Sequence, residues 1–307
     1  MNIIFKEILM KFFYLLILIL GCNSLGFAQG SDECSFQNKQ ISQIPGKNSI
    51  TKLPQNLADF EPVTFNIYFW GFRLEDNTGN VAFTQENIEA AVERLNTLYN
   101  QCNISFNLIG HNVILSNEFY HLEGRHRFRE MVAAMRAEGN LRTDAFNVYV
   151  SNEYSGFAGI ALDYYGTILG ISSINLISSG TLEHEVGHCF NLLHTNETNN
   201  TLNCESVVRD PNSQYYNADI SGDFVADTAA GYAFEPEEVD ATTCTLNSSK
   251  KDCYGFTYKI PSSLLRNYMT IKVSECTKDQ LTNGQFIRIR NAIELDPFDH
   301  FQNARID

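Results

Sequence analysis

Val63 to Phe72 alternates apolar and polar side chains and is rich in aromatic residues, the period-two pattern of a β-strand. The pattern then switches to helical spacing. Ile88, Ala91, Val92, Leu95 and Tyr99 fall on one face of a helix that Thr84 is placed to cap. Ile104, Phe106 and Leu108 alternate again as a second strand, and Phe128, Met131, Val132 and Met135 mark a second amphipathic helix, with its methionines read as core. Phe146 to Val150 gives a further strand. Gly156 to Ile174 is rich in glycine and β-branched residues without helical period, which predicts strands and loops. This order of elements predicts an α+β domain.

The chemistry concentrates immediately afterwards, in His184-Glu185-Val186-Gly187-His188-Cys189-Phe190-Asn191-Leu192-Leu193-His194. Residues four apart sit one turn above each other on a helix, so His184 and His188 can aim ring nitrogens at one metal ion with Glu185 beside them. His194 follows His188 by six positions, too far along the same face for a four-coordinate ion with bonds of roughly 2.0–2.1 Å. The helix must therefore end and turn back. That turn falls at Asn191, where a left-handed backbone favours glycine and accepts asparagine next best. Three neutral imidazoles leave a fourth position for water, the mark of a catalytic rather than a structural zinc, and Glu185 is the candidate general base. His111, His121, His126 and His300 are scattered singly and are read as solvated or structural.

These residues resemble the long motif of the metzincin zinc peptidases and, more narrowly, the pappalysin family, with the resemblance running from about Pro62 to the C-terminus. Asn267-Tyr268-Met269 is similar to the family's Met-turn, which implies that Met269 packs beneath the metal. Gly222-Asp223-Phe224-Val225-Ala226-Asp227-Thr228 is similar to a segment that helps bind calcium in bacterial relatives, implying Asp223, Asp227 and Thr228 as oxygen ligands. The family pattern also implies disulfides Cys204–Cys253 and Cys244–Cys276, although sequence alone allows three pairings of these four. The implied fold is a metzincin-type domain. Its upper subdomain has a twisted sheet with helices and an edge strand for substrate. Its lower subdomain, Leu192 to Asp307, is irregular and disulfide-tied, with a closing helix around Thr277 to Glu294. The chain departs from the family at Asn191, usually glycine, at Ala229, often proline, and at Ile271, where relatives carry a tyrosine that helps hold the transition-state oxyanion. Thr277 stands where an acidic residue selects basic side chains in some relatives, so that preference is not carried over.

The N-terminus changes the picture of where this happens. Lys6 and Lys11 precede an apolar run from Phe12 to Leu20, shorter than the ~20 residues needed to span a bilayer, and residues 1–28 read as an export signal. Gly26-Phe27-Ala28 offers a cleavage site before Gln29; Ile19-Leu20-Gly21-Cys22 offers instead a lipid anchor at Cys22. Secretion is the reading adopted, with surface anchoring as its alternative. Residues 29–61 form a polar leader or propeptide and 62–307 the catalytic domain. Of eight cysteines, seven lie beyond the signal, so at least one thiol is free. Cys189 is read as a small buried apolar residue. Cys34, in the leader, either ligates the zinc and silences a zymogen or pairs with Cys102.

A net charge of −14 argues against nucleic acid or an anionic membrane as partner. Protein or peptide substrates and a monomeric state are expected. The function expected is a secreted zinc endopeptidase; the competing expectation is a secreted zinc-containing binding protein with weak or no catalysis.

Overall fold

The computed structural model describes residues 56–178, 180–196, 204–273 and 276–306. The expected export signal, Cys22, Cys34 and nearly all of the expected leader lie outside the described residues. Among the described residues, ten strands and seven α-helices follow one another as β1 (Val63–Arg73), α1 (Gln85–Tyr99), β2 (Ile104–Leu115), α2 (Asn117–Tyr120), β3 (His121–Glu123), α3 (Gly124–Ala137), β4 (Phe146–Ser151), β5 (Glu153–Ser155), β6 (Gly159–Ala161), β7 (Ile168–Ser172), α4 (Ser173–Ile177), α5 (Thr181–Cys189), β8 (Val239–Asp240), β9 (Thr245–Leu246), α6 (Ser262–Leu265), α7 (Asn283–Leu295) and β10 (Arg305–Ile306).

Strand β1 is the axis of the main sheet. It pairs in parallel with β2 along one side, and along the other with β4 in parallel and β10 in antiparallel. Beyond β4 come β7, also parallel, and then β6, antiparallel and last in the sheet path. The alternation in β1 is real but incomplete: Trp70 to Phe72 are all buried because both faces of the sheet are covered. Phe65, Ile67 and Phe69 pack with Leu95 and Tyr99 of α1, Val186 of α5 and Ile289 of α7. Trp70 and Phe72 face the other layer, with Phe128, Met131 and Met135 of α3. The methionines are core, as the period predicts.

The cap on α1 follows the sequence closely, since the Thr84 hydroxyl accepts from Asn87 N and Asn87 Oδ1 accepts from Thr84 N. Two boundaries differ from expectation. A short helix, α4, follows β7, started by the Ser172 hydroxyl, which accepts from Asn175 N. The closing helix begins at Asn283 rather than Thr277, because Thr282 is its cap and forms a reciprocal box with Gln285.

After α5 the chain is mostly loops around a second core of Tyr232, Phe234, Tyr258, Ile260, Leu264 and Leu265. Disulfides Cys204–Cys253 and Cys244–Cys276 cross this region. Cys102 and Cys189 are buried and in neither of these disulfides. Burial raises the thiol of Cys102 to about 12 and that of Cys189 well above its ordinary value, which keeps both protonated. Among the described residues no helix is long and apolar enough to cross a membrane.

Candidate metal centre

Helix α5 starts abruptly after Gly180, whose φ of +110° is a conformation L side chains rarely adopt. Glu183 then caps the helix, accepting from Gly180 N at 3.0 Å, while Arg94 Nε donates to its other oxygen at 3.1 Å. The Tyr99 hydroxyl donates to Glu183 O at 2.8 Å. The helix that carries the first two histidines is thereby fixed to α1. Its other end closes at Asn191, φ +69°, with Asn191 N donating to His188 O and Leu192 N to Gly187 O. This is the left-handed reversal of a Schellman cap, and it turns the chain back toward His194.

His184, His188 and His194 are buried and converge. His194 Nε2 lies 3.2 Å from His184 Nε2 and 3.0 Å from His188 Nε2. A tetrahedral ion with bonds of 2.0–2.1 Å requires donor spacings of roughly 3.3 Å. The second nitrogens decide what those atoms are. His184 Nδ1 lies 2.6 Å from Tyr268 O and His188 Nδ1 lies 2.8 Å from Leu192 O. A carbonyl only accepts, so both Nδ1 atoms carry the proton and both Nε2 atoms present bare lone pairs. Burial, followed by neighbouring histidines, lowers the pKa of His184 to about 3 and that of His188 well below its ordinary value, so both rings stay neutral. Two bare nitrogens converging with the His194 ring can hold a cation between them, and an all-nitrogen set of three suits zinc. Among the described residues, this is the one group of three or more His, Cys, Asp or Glu side chains close enough to share an ion. His121 and His126 instead approach Glu153 and Glu130, and His300 Nδ1 bonds Tyr165 O.

Glu185 is 1% exposed and lies against β6. A Cβ on Gly159 would come within 2.8 Å of its Cγ and its Oε1. Below the helix, Met269 is fully buried, and a Cβ on Gly187 would stand 2.7 Å from its sulfur. The thioether therefore packs where the helix has no side chain. Its turn is held from several sides: Asn267 Oδ1 accepts from Met269 N, Lys278 Nζ donates to Leu265 O and Thr270 O, and Thr195 N donates to Met269 O. Asn196 bonds both the N–H and the carbonyl of Ile271, each at 3.0 Å. The Tyr268 ring lies near Glu183 and Arg94, and burial raises its hydroxyl to about 12. Sequence reasoning missed the carbonyls of Tyr268 and Leu192, together with Gly159 and Lys278; backbone acceptors and partners distant in sequence leave no local motif.

The acidic segment divides. The hydroxyl of Thr228 lies 2.8 Å from Asp223 Oδ1, which also accepts from Val225 N. Asp227 points elsewhere: it accepts from the Thr282 hydroxyl at 2.7 Å and from Gly284 N at 2.8 Å, at the start of α7. The neighbour of Asp223 is Glu205, which packs on Gly222 and pairs with Arg209. Sequence reasoning missed this carboxylate as well.

The sheet order, the interrupted helix and the turn beneath it define the α+β fold of this chain. The structure of a Tannerella forsythia promirolysin variant shares it, with TM-score 0.51 and 15% identity over 84% of this chain and 92% of that one. Metalloproteinase-II from Bacteroides fragilis overlaps over 61% of this chain and 57% of its own, at 9% identity and TM-score 0.30, too little to define a common fold. No protein-family model and no curated protein matches the sequence.

Proposed function

We propose that this chain is an exported, zinc-dependent endopeptidase acting on proteins or peptides, with Glu185 as general base and general acid. One observation carries the reading: two backbone carbonyls turn the bare nitrogens of His184 and His188 toward His194, next to a buried glutamate. Zinc held there supplies a Lewis acid that brings the pKa of water to about 7. Glu185 takes the proton of the attacking water and delivers it to the departing amine nitrogen. The outer edge of β6, last in the sheet, accepts an extended peptide as an added strand, which lays the scissile bond above the histidines. Met269 supplies an apolar, polarisable floor.

The test is Glu185→Ala. The variant is expected to keep about one zinc per chain and to lose peptide hydrolysis. If wild type with its leader removed is as inert as the variant, the chain is a zinc-containing binding protein. Ile271 favours that second reading, since it offers no hydroxyl to an oxyanion. Within the peptidase reading Cys34 acts as a zymogen switch, so Cys34→Ala is expected to be active without processing; unchanged latency refutes it. Calcium is assigned to Asp223, whose buried Oδ2 has no hydrogen-bond partner, with Glu205 as its companion. The two adjoining buried carboxyls are each raised by burial, and Glu205 further by Asp223, while Arg209 opposes the rise at both and Arg288 at Asp223.

A further inference from the structure

We infer that Arg288 and Tyr165 are positioning residues for the metal centre, acting through Asn191. Asparagine at φ +69° must be held where glycine would rest without help. Every polar group of Asn191 is used for this. Its Nδ2 donates to the Tyr165 hydroxyl at 2.5 Å, its Oδ1 accepts from Arg288 Nη2 at 3.2 Å, and its carbonyl accepts from Arg288 Nε at 2.8 Å. Asn191 and Tyr165 are each 3% exposed, so no water replaces these bonds cheaply.

The clamp sits where it controls geometry. Asn191 lies between His188, which ends the helix, and His194, which completes the donor set, so its φ and ψ set the distance between the two rings. The Arg288 guanidinium rests over the Phe224 ring, 5.7 Å from its centroid, and brings positive charge to the carbonyl end of α5. Gly166 N, next to Tyr165, donates to Cys189 O at 3.2 Å and satisfies another carbonyl of the same helix end. α7 and the 164–166 turn thus hold the reversal from two sides. The aromatic and cationic partners do by hydrogen bonding what a bare backbone does at a glycine.

The inference rests on the metal reading above, and its test reads metal rather than turnover. Co²⁺ affinity and the visible ligand-field spectrum are measured on the full chain. Arg288→Met is expected to weaken Co²⁺ binding by roughly 10- to 100-fold, the range for partners that orient ligands, and to shift the bands of the tetrahedral ion. Adding Asn191→Gly to Arg288→Met is expected to restore most of the affinity and the wild-type spectrum. Arg290→Met is the control: this buried arginine, two residues along the same helix, bonds Glu61 O, Cys102 O and Asn103 O, and its loss is expected to cost stability without changing the spectrum. Tyr165→Phe removes a single hydroxyl and keeps the test decisive if Arg288→Met does not fold; weaker Co²⁺ binding and a shifted spectrum are expected from it too. The inference fails if these variants bind Co²⁺ as wild type does, if Arg290→Met perturbs the spectrum equally, or if glycine at 191 rescues nothing. A wild-type chain that binds no Co²⁺ or Zn²⁺ overturns the metal centre itself, which is a distinguishable result.

Discussion

Gly159→Ala isolates the placement of Glu185 from its presence. Gly159 is in β6 with an ordinary strand backbone, so alanine imposes no torsional penalty of its own. The new methyl would meet Glu185 Cγ and Oε1 at 2.8 Å and Thr181 Cγ2 at 2.9 Å. Non-bonded carbons rest at about 3.5–4.0 Å, so the glutamate must retreat by ~0.7 Å or more. Thr181 and Glu185 belong to the same turns of α5, and the side chain yields before the helix does. Displacement of about 1 Å from a productive geometry costs on the order of 100-fold in rate. The variant is therefore expected to show kcat reduced about 100-fold on a quenched fluorescent peptide, with zinc content by mass spectrometry and thermal midpoint close to wild type. Full activity in Gly159→Ala would refute the assignment of the proton transfers to this carboxylate. Loss of zinc along with activity would show instead that the methyl disturbs the histidines.

His194→Ala removes one of three ligands and is expected to abolish stoichiometric zinc by metal analysis while leaving the far-ultraviolet circular dichroism intact. Cys244→Ser opens a 32-residue loop, and the chain-entropy relation then gives a loss of about 4 kcal/mol, read as a lower denaturation midpoint under oxidising conditions. For Glu205 and Asp223 the folded pKa values lie above the unfolded ones, so their contribution is fully present at low pH and is lost as pH rises from about 4 through about 8. In chelator the melting temperature is expected to carry this downward slope with rising pH, and millimolar Ca²⁺ is expected to flatten it; a slope indifferent to Ca²⁺ removes the cation assignment.

Much of the upper half was legible because its strands and helices obey simple periods and Thr84 announces its own cap. The histidine spacing required a reversal at Asn191, and its positive φ is there. Less was readable beyond it. Asp227 looks like a metal ligand in sequence, yet the Thr282 hydroxyl and the Gly284 N–H at the start of α7, far along the chain, take its carboxylate. Glu205 gave no signal, since only folding brings it against Gly222. Lys278 reads as an ordinary surface cation but ties two carbonyls around the Met-turn. Long-range hydrogen bonds to backbone leave no imprint on local composition, whereas periodicity and caps do.

The pairing of Thr64 with Ile306 has a kinetic corollary. The sheet's first strand finds one of its partners only when Arg305 and Ile306 have emerged, so closure of this layer must trail synthesis of the residues between the two strands. Contacts so remote in sequence fold slowly. A ribosome-bound intermediate would thus stay open until late, and deleting Arg305 and Ile306 is expected to slow refolding and expose Phe65 and Phe301 to self-association.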